Sequence, residues 1–221
     1  MGELMMKFKF FQKKRMIGLG LFCFIGAVAV IMAGIRIHGP FSVVQVDAER
    51  LQLAASPAEL EEVSDLIVIA RIAAPGRNRY DYFPNTNDIA VGYTETQLIV
   101  EEVLGGTAQV GDRITITEEC YTTGLGTKFW TQGGYLPAEM GKDYLFFLKA
   151  YQGKARYAGM YFPVDLEYGR YLLPDAAGDP VLSVDGEDEN GIRSRLHIGP
   201  AADVEEYLYW YQSVMSMYGR A

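Results

Sequence analysis

The hydrophobic pattern of the chain begins with one long apolar run, at residues 16–37. Its first twenty residues, Met16 to Ile35, contain no charge, and about 20 apolar residues are needed to cross a hydrocarbon core as a helix. Five basic residues precede the run and only Glu3 opposes them. They are Lys7, Lys9, Lys13, Lys14 and Arg15. Because basic flanks stay in the cytoplasm, we predict a cytoplasmic tail at residues 1–15 and a membrane anchor at residues 16–37, with the remainder extracytoplasmic.

A cleaved signal peptide is the alternative interpretation of this run. Residues 16–26 would form its apolar region, and Ala27-Val28-Ala29 resembles a cleavage site of small residues. The apolar sequence nevertheless continues to Ile37, so a cleaved product would begin with an exposed hydrophobic tail. The pattern therefore favours an uncleaved anchor and a single-pass protein of the cell membrane.

Beyond the anchor, the pattern predicts a domain at residues 56–173, reached through a juxtamembrane connector at residues 38–55 that holds one short strand. The domain opens with a capped helix start. Ser56 stands at the cap, Pro57 takes the first helical position, and Glu59 has the spacing of a capping box. We expect this helix to be short.

Period-two alternation and β-branched runs predict that the rest of the domain is mainly β. Residues 66–72 are apolar and β-branched, as in strands buried on both faces. Residues 89–104 and 113–118 alternate in polarity and predict a hairpin. Residues 144–150 form a further apolar strand. The predicted inward face of the first hairpin strand consists of Thr94, Thr96, Leu98 and Val100.

Two stretches rich in turn-forming residues and aromatic residues are predicted to be loops, at residues 75–88 and 119–136. Short strands are predicted at residues 155–160 and 168–173, with Gly169 as a bulge in the latter. These predictions depend on composition more than on alternation.

The end of the chain changes character twice. Residues 174–198 are predicted to form an acidic, solvated loop, and residues 199–221 an amphipathic helix that packs on the sheet. The apolar stripe of that helix is Val204, Leu208, Tyr211 and Met215, widened by Tyr207, Trp210, Val214 and Met217.

Charge and cysteine content restrict the function. The chain carries −8 in total and residues 1–37 contribute +5, which leaves −13 for residues 38–221. An acidic domain of this kind is a poor partner for nucleic acid. Of the two cysteines, Cys23 lies in the predicted anchor. Cys120 therefore has no intramolecular partner outside, and is either a small buried residue or a free thiol able to link two copies.

Five segments in this order carry a resemblance to a known family. They are AELEEVSDLIVIARI, ETQLIVEEVLGG, VGDRITIT, a Gly-Tyr-x-Pro segment and GKDYLFFLKAY. Together they resemble the netrin-like domains related to tissue inhibitors of metalloproteinases, over residues 58–173. The resemblance implies an OB-like β-barrel. Those inhibitors bind zinc through an N-terminal cysteine held by disulfides, and the corresponding region here has no cysteine, so the resemblance implies no functional residue.

No catalytic or metal-binding motif accompanies this fold. The sequence has no Gly-x-Ser-x-Gly, and its only histidines are His38 and His197. It also lacks Cys-x-x-Cys and His-Glu-x-x-His. The acidic residues 185–191 do not match the twelve-residue calcium loop. We therefore predict no cofactor and no metal. Paired carboxylates of a hydrolase remain open, because separation in sequence does not give separation in space.

Aromatic residues in the predicted loop at 119–136 are the remaining candidates. Large rings on a rigid β scaffold often form recognition surfaces. The candidate binding residues are Tyr121, Phe129, Trp130 and Tyr135, joined by Tyr80, Tyr82 and Phe83. The alternative is that these rings cap the ends of the barrel. We predict a non-catalytic domain that binds a protein or cell-envelope component. The alternatives are a hydrolase that uses carboxylates and a structural subunit that assembles through its anchor helix.

Overall fold

The structure is a computed structural model, and it describes residues 42–46, 53–153, 155–173 and 201–219. The predicted tail, anchor and acidic loop, together with His38 and His197, lie outside these residues. Among the residues that the structure does describe, no helix has the length and apolar character needed to span a membrane.

The domain opens with a tight helical start. A 3₁₀ turn at Pro57–Glu59 leads directly into helix α1, Leu60–Val63. The Glu59 carboxylate accepts from the Ala55 amide at 3.0 Å and from the Ser56 hydroxyl at 3.1 Å. The predicted capping box is therefore not formed, because the Ser56 hydroxyl does not cap the backbone and Glu59 accepts from the amide of Ala55 and not from that of Ser56.

Two long strands form the largest pairing of the domain, β2 at Leu66–Tyr82 and β3 at Ile89–Gly105. The prediction of a strand at residues 89–104 is confirmed. The prediction of a loop at residues 75–88 is wrong for residues 75–82, since β2 continues to Tyr82, and holds only for residues 83–88. Register shifts near Ala74 accommodate the Pro-Gly pair within the strand. Gly76 is required there, because a Cβ atom at this position would overlap the Thr94 side chain.

The remaining strands of the main sheet are β4 at Arg113–Glu118, β7 at Asp143–Ala150, β8 at Met160–Pro163 and β9 at Arg170–Leu172. The sheet order is β2-β3-β4-β8-β7-β9, and β7 also pairs with β2. The path β2-β3-β4-β8-β7 therefore returns to its first strand. The mainly β class, the β3–β4 hairpin and its inward face are as predicted, with Leu98, Val100 and Ile116 fully buried.

Helical turns take most of the short strand predicted at residues 155–160 and the first two residues of the one predicted at residues 168–173. Within residues 155–160 the chain forms a 3₁₀ turn at Ala155–Tyr157, and β8 starts only at Met160. A second 3₁₀ turn, Leu166–Gly169, precedes β9. Gly169 is not a bulge: it packs so closely on the Val164 backbone that a Cβ atom would overlap it. Close backbone approach explains this glycine.

A second sheet occupies much of the stretch that was predicted to be a loop at 119–136. Strands β5, Cys120–Thr123, and β6, Lys128–Gln132, form an antiparallel hairpin around a 3₁₀ turn at Gly124–Gly126. Strand β1, Ser42–Val46, adds to β6 in parallel. The loop prediction is therefore wrong for this hairpin, which is short and whose alternation is obscured by threonines and glycines.

The predicted C-terminal helix is present as α2, Ala201–Met217. Its inward rings and aliphatic side chains pack against residues of β2 and β7. The Tyr207 hydroxyl donates to the Arg170 carbonyl at 3.2 Å, and the Tyr211 hydroxyl donates to the Leu172 carbonyl at 2.9 Å. The buried stripe of α2 is narrower than predicted, because Met217 is 46% exposed.

Candidate functional site

The four predicted binding residues divide between two faces of the second sheet. Tyr121 and Trp130 are directly opposite each other on β5 and β6, and both are half-buried. Phe129 is only 4% exposed and Tyr135 is fully buried. Phe129 alternates with Trp130 along β6, so the two rings project to opposite sides. Phe129 and Tyr135 therefore cannot touch a ligand, whereas Tyr121 and Trp130 can.

The buried pair belongs to a small core beneath the sheet. Phe129, Tyr135, Cys120 and Leu136 form this cluster, and Val43 of β1 packs against it. The surroundings of Phe129 and Tyr135 are those of core residues, so these two rings have the structural role that was the alternative to binding. Their burial also fixes the hairpin β5–β6 on the rest of the domain, which makes its outer side a rigid platform.

On the outer side, aromatic rings from three strands follow one another. Tyr121 and Trp130 are stacked, with ring centroids 5.8 Å apart and planes 3° from parallel. Tyr80 of β2 meets Tyr121 edge-on at 5.8 Å, and Tyr82 lies 6.4 Å from Tyr80. We call Tyr80, Tyr82, Tyr121 and Trp130 the aromatic face. Phe83 follows Tyr82 in the chain and is 54% exposed.

A glycine allows the aromatic face to be continuous between the two sheets. Tyr121 lies against the backbone of Gly92 on β3, where an added Cβ atom would stand 2.5 Å from the Tyr121 ring. Gly92 is the register partner of Tyr80. Any side chain at this position would separate the rings of Tyr80 and Tyr121.

Hydrogen bonds hold three of the polar groups around these rings. The Trp130 indole donates to the Thr123 hydroxyl at 2.9 Å. The Tyr80 hydroxyl donates to the Thr122 carbonyl, and the Asn78 amide donates to the Thr122 hydroxyl at 2.8 Å. Held in this way, the rings lose little conformational freedom when a ligand covers them.

Within the strands β1, β5 and β6, the outer side of the second sheet carries no acidic residue, although the domain as a whole is acidic and Glu119 directly precedes β5. Alternation along β1, β5 and β6 places eight residues on this side, and none of them is fully buried. They are Ser42, Val44, Val46, Tyr121, Thr123, Lys128, Trp130 and Gln132. The pKa of Tyr80 and that of Tyr121 are raised, chiefly by burial, so both phenols are neutral at physiological pH. Of these eight side chains only Lys128 is charged, and the two valines and two rings supply most of the apolar area.

A buried polar network lies below, and sequence reasoning missed it. Glu118 and Arg170 form an ion pair at 3.3 Å. The same carboxylate oxygen accepts from the Tyr135 hydroxyl at 3.1 Å and from the Ala138 amide at 2.8 Å, and the other oxygen accepts from Thr96. Glu118 falls at an inward position of the alternating strand β4, which is the signal that could have identified it.

This network is sealed from ligands. Glu118 is 1% exposed and Arg170 is 3% exposed. The Arg170 guanidinium stands 4.4 Å from the centroid of the Tyr135 ring. Burial raises the pKa of the Tyr135 hydroxyl well above its usual value, so it remains a donor. The arrangement attaches the loop at Tyr135–Ala138 to the strands β4 and β9, which is a structural role.

Nucleophilic and metal chemistry find no support among the described residues. No group of three His, Cys, Asp or Glu side chains in that part of the chain is arranged to hold a metal ion. Cys120 is 1% exposed. Burial, with a smaller contribution from Glu118, raises the pKa of its thiol well above the ordinary value. Cys120 therefore behaves as a small buried residue and not as a reactive thiol.

Comparison of the chain with known protein families, with curated proteins and with solved structures finds no match.

Proposed function

We propose that the protein is a single-pass membrane protein whose extracytoplasmic domain is a non-catalytic binding module, and that the aromatic face is its binding surface. The observation that carries the proposal is the row of rings from Trp130 to Tyr82, which runs from half-buried to 55% exposed on a rigid two-sheet platform. The partner is a protein or a component of the cell envelope.

Large rings of this kind are suited to binding. Tyr and Trp bring a large contact area with few rotatable bonds, and they dominate the energetics of many interfaces. Trp130 and Tyr80 already have their polar groups satisfied within the domain. Covering them removes apolar area from water without leaving a buried donor unpaired.

The fold also suits a binding role. The return of the path β2-β3-β4-β8-β7 to β2 supports an OB-like barrel, and OB-fold barrels commonly present ligand surfaces on their strands and loops. The anchor is supported by the uncharged run at residues 16–35. The buried Glu118 itself lends no support to a hydrolase using carboxylates, because it is inaccessible.

Site-specific photocrosslinking tests the proposal on the full chain in its membrane. Benzoylphenylalanine replaces Tyr82 in one protein and Tyr209 in another. The two tyrosines are matched, since both are exposed, at 55% and 63%, but Tyr209 lies on α2. We expect a discrete adduct from position 82 and none from position 209.

A second substitution links the adduct to the aromatic face. Adding Trp130→Ala to the protein with the crosslinker at position 82 should abolish the adduct, because the neighbouring ring contributes to the same contact. Equal adducts from both positions, or an adduct that survives Trp130→Ala, would contradict the proposal.

A further inference from the structure

The charge of the aromatic face differs from that of the domain around it. Residues 38–221 carry −13, yet the outer sides of β1, β5 and β6 carry one lysine and no carboxylate. Asp81 follows Tyr80 on β2, but it forms an ion pair with Arg156. An acidic surface is repelled by anionic headgroups, and this surface is not.

The length of chain before the second sheet limits how far this sheet can lie from the membrane. Strand β1 begins at Ser42, and the predicted anchor ends at Ile37, with residues 38–41 between them. An extended chain spans about 3.6 Å per residue, so Ser42 stays within roughly 18 Å of the end of the anchor. Ser42 is the register partner of Lys128 on β6. The end of the outer side that carries Lys128 is therefore next to the point where the short connection from the predicted anchor enters the sheet.

The side chains of this surface are those that favour a membrane interface. Trp and Tyr concentrate at the headgroup level, where one end of the ring is apolar and the other is polar. Trp130 and Tyr121 supply such rings, and Lys128 can pair with lipid phosphate.

We infer that the partner of the aromatic face is the lipid surface of the membrane in which the protein is anchored. The inference rests on the proposed binding role of this face and names its ligand. The outer side of β1, β5 and β6 lies against the headgroups, with Trp130 and Tyr82 reaching toward the acyl boundary. The anchor keeps the domain at the membrane, and the aromatic face sets its orientation there.

Tryptophan fluorescence tests this inference on the full chain in lipid nanodiscs. The chain has two tryptophans, and Trp210, on the inward side of α2, is 7% exposed. The discs contain phosphatidylcholine and phosphatidylglycerol, either ordinary or brominated near the headgroup end of the acyl chains. Bromine quenches only indoles that it approaches closely. The difference between the native protein and Trp130→Phe isolates the emission of Trp130.

We expect brominated lipid to remove most of the Trp130 emission and to leave the Trp210 emission unchanged. Tyr82→Ala should reduce the quenching, whereas the matched Tyr209→Ala should not. Equal Trp130 emission in both lipids overturns the inference. If a protein adduct still forms at position 82 in that case, the binding proposal stands with a protein as the partner. If no adduct forms either, both proposals fail.

Discussion

Two aromatic clusters of this domain have nearly the same internal geometry and differ in what lies over them. Between α2 and the sheet, Tyr207 of the helix is stacked on Tyr171 of β9, with ring centroids 6.1 Å apart and planes 15° from parallel. On the aromatic face, Tyr121 and Trp130 are stacked at 5.8 Å with planes 3° apart. Tyr207 is 1% exposed, however, whereas Tyr82 at the end of the aromatic face is 55% exposed.

The difference shows that ring contacts alone do not distinguish a core from a binding surface. The rings beneath α2 stabilise the fold because the helix removes them from water. The aromatic face has equivalent ring contacts but retains uncovered area, so part of its hydrophobic free energy is still available to a partner. Substitutions in the two clusters should therefore have different effects on stability and on binding.

The largest loss of stability is expected from Arg170→Ala, in the network that lies between the two clusters. The substitution leaves Glu118 buried without its cation, which costs about 3–5 kcal/mol. Urea unfolding followed by circular dichroism measures the loss. Arg71→Ala is the matched control, because Arg71 pairs with Asp143 at 2.8 Å but is exposed. An equal loss in both variants would contradict the structural role of the buried pair.

Trp210→Ala should have the next largest effect. The ring projects from the inward side of α2, with its centroid 4.8 Å from that of Tyr168, and is 7% exposed. Its removal leaves a cavity and should cost about 3–4 kcal/mol, with no change in the crosslink at position 82. The neighbouring Tyr209→Ala should leave the unfolding free energy nearly unchanged. A stable Trp210→Ala protein would mean that α2 does not cover the sheet as described.

Alkaline pH should act on the covered cluster. Burial raises the pKa of Tyr207 and raises that of Tyr171 well above its ordinary value. Both phenols therefore hold their protons more tightly in the folded state. The stability that these two protonated phenols contribute to the folded state is complete below a pH of about 10, the usual tyrosine pKa. It is lost as the pH rises beyond that value. We expect the melting temperature to fall above that pH, and less so in Tyr207→Phe. An equal fall in both proteins would contradict the assignment.

Tyr82→Ala should have the smallest effect on stability. Its ring is 55% exposed and lies at the end of β2, so we expect a change within about 0.5 kcal/mol in the urea midpoint analysis. The same substitution should weaken binding. A loss of stability as large as that of Trp210→Ala would place Tyr82 in the core.

The sequence pattern predicts the regular parts of this fold well. Strict alternation at Leu98, Val100 and Ile116 identifies the buried face, and helical spacing identifies α2. The pattern does not predict the extension of β2 through Pro75 and Gly76, because register shifts in a tertiary pairing overcome local turn preferences.

The candidate site was predictable only in part. Composition identifies Tyr121 and Trp130, but their segment is a hairpin and not a loop, and the alternation of its strands places Phe129 on the inner side. The meeting of Tyr80 with Tyr121 depends on Gly92, a contact between distant parts of the chain that no local pattern contains. The network of Glu118 likewise depends on Arg170, fifty-two residues away in sequence.

Trp130→Ala in the full chain, measured for both stability and crosslinking, tests the central claim most directly. The ring is half-buried on the outer side of β6, so we predict a stability loss of only about 1–2 kcal/mol, together with loss of the adduct at position 82. A loss of about 3–5 kcal/mol, the cost expected for a buried ring, with the adduct unchanged, would show that the aromatic face is part of the core and not a binding surface.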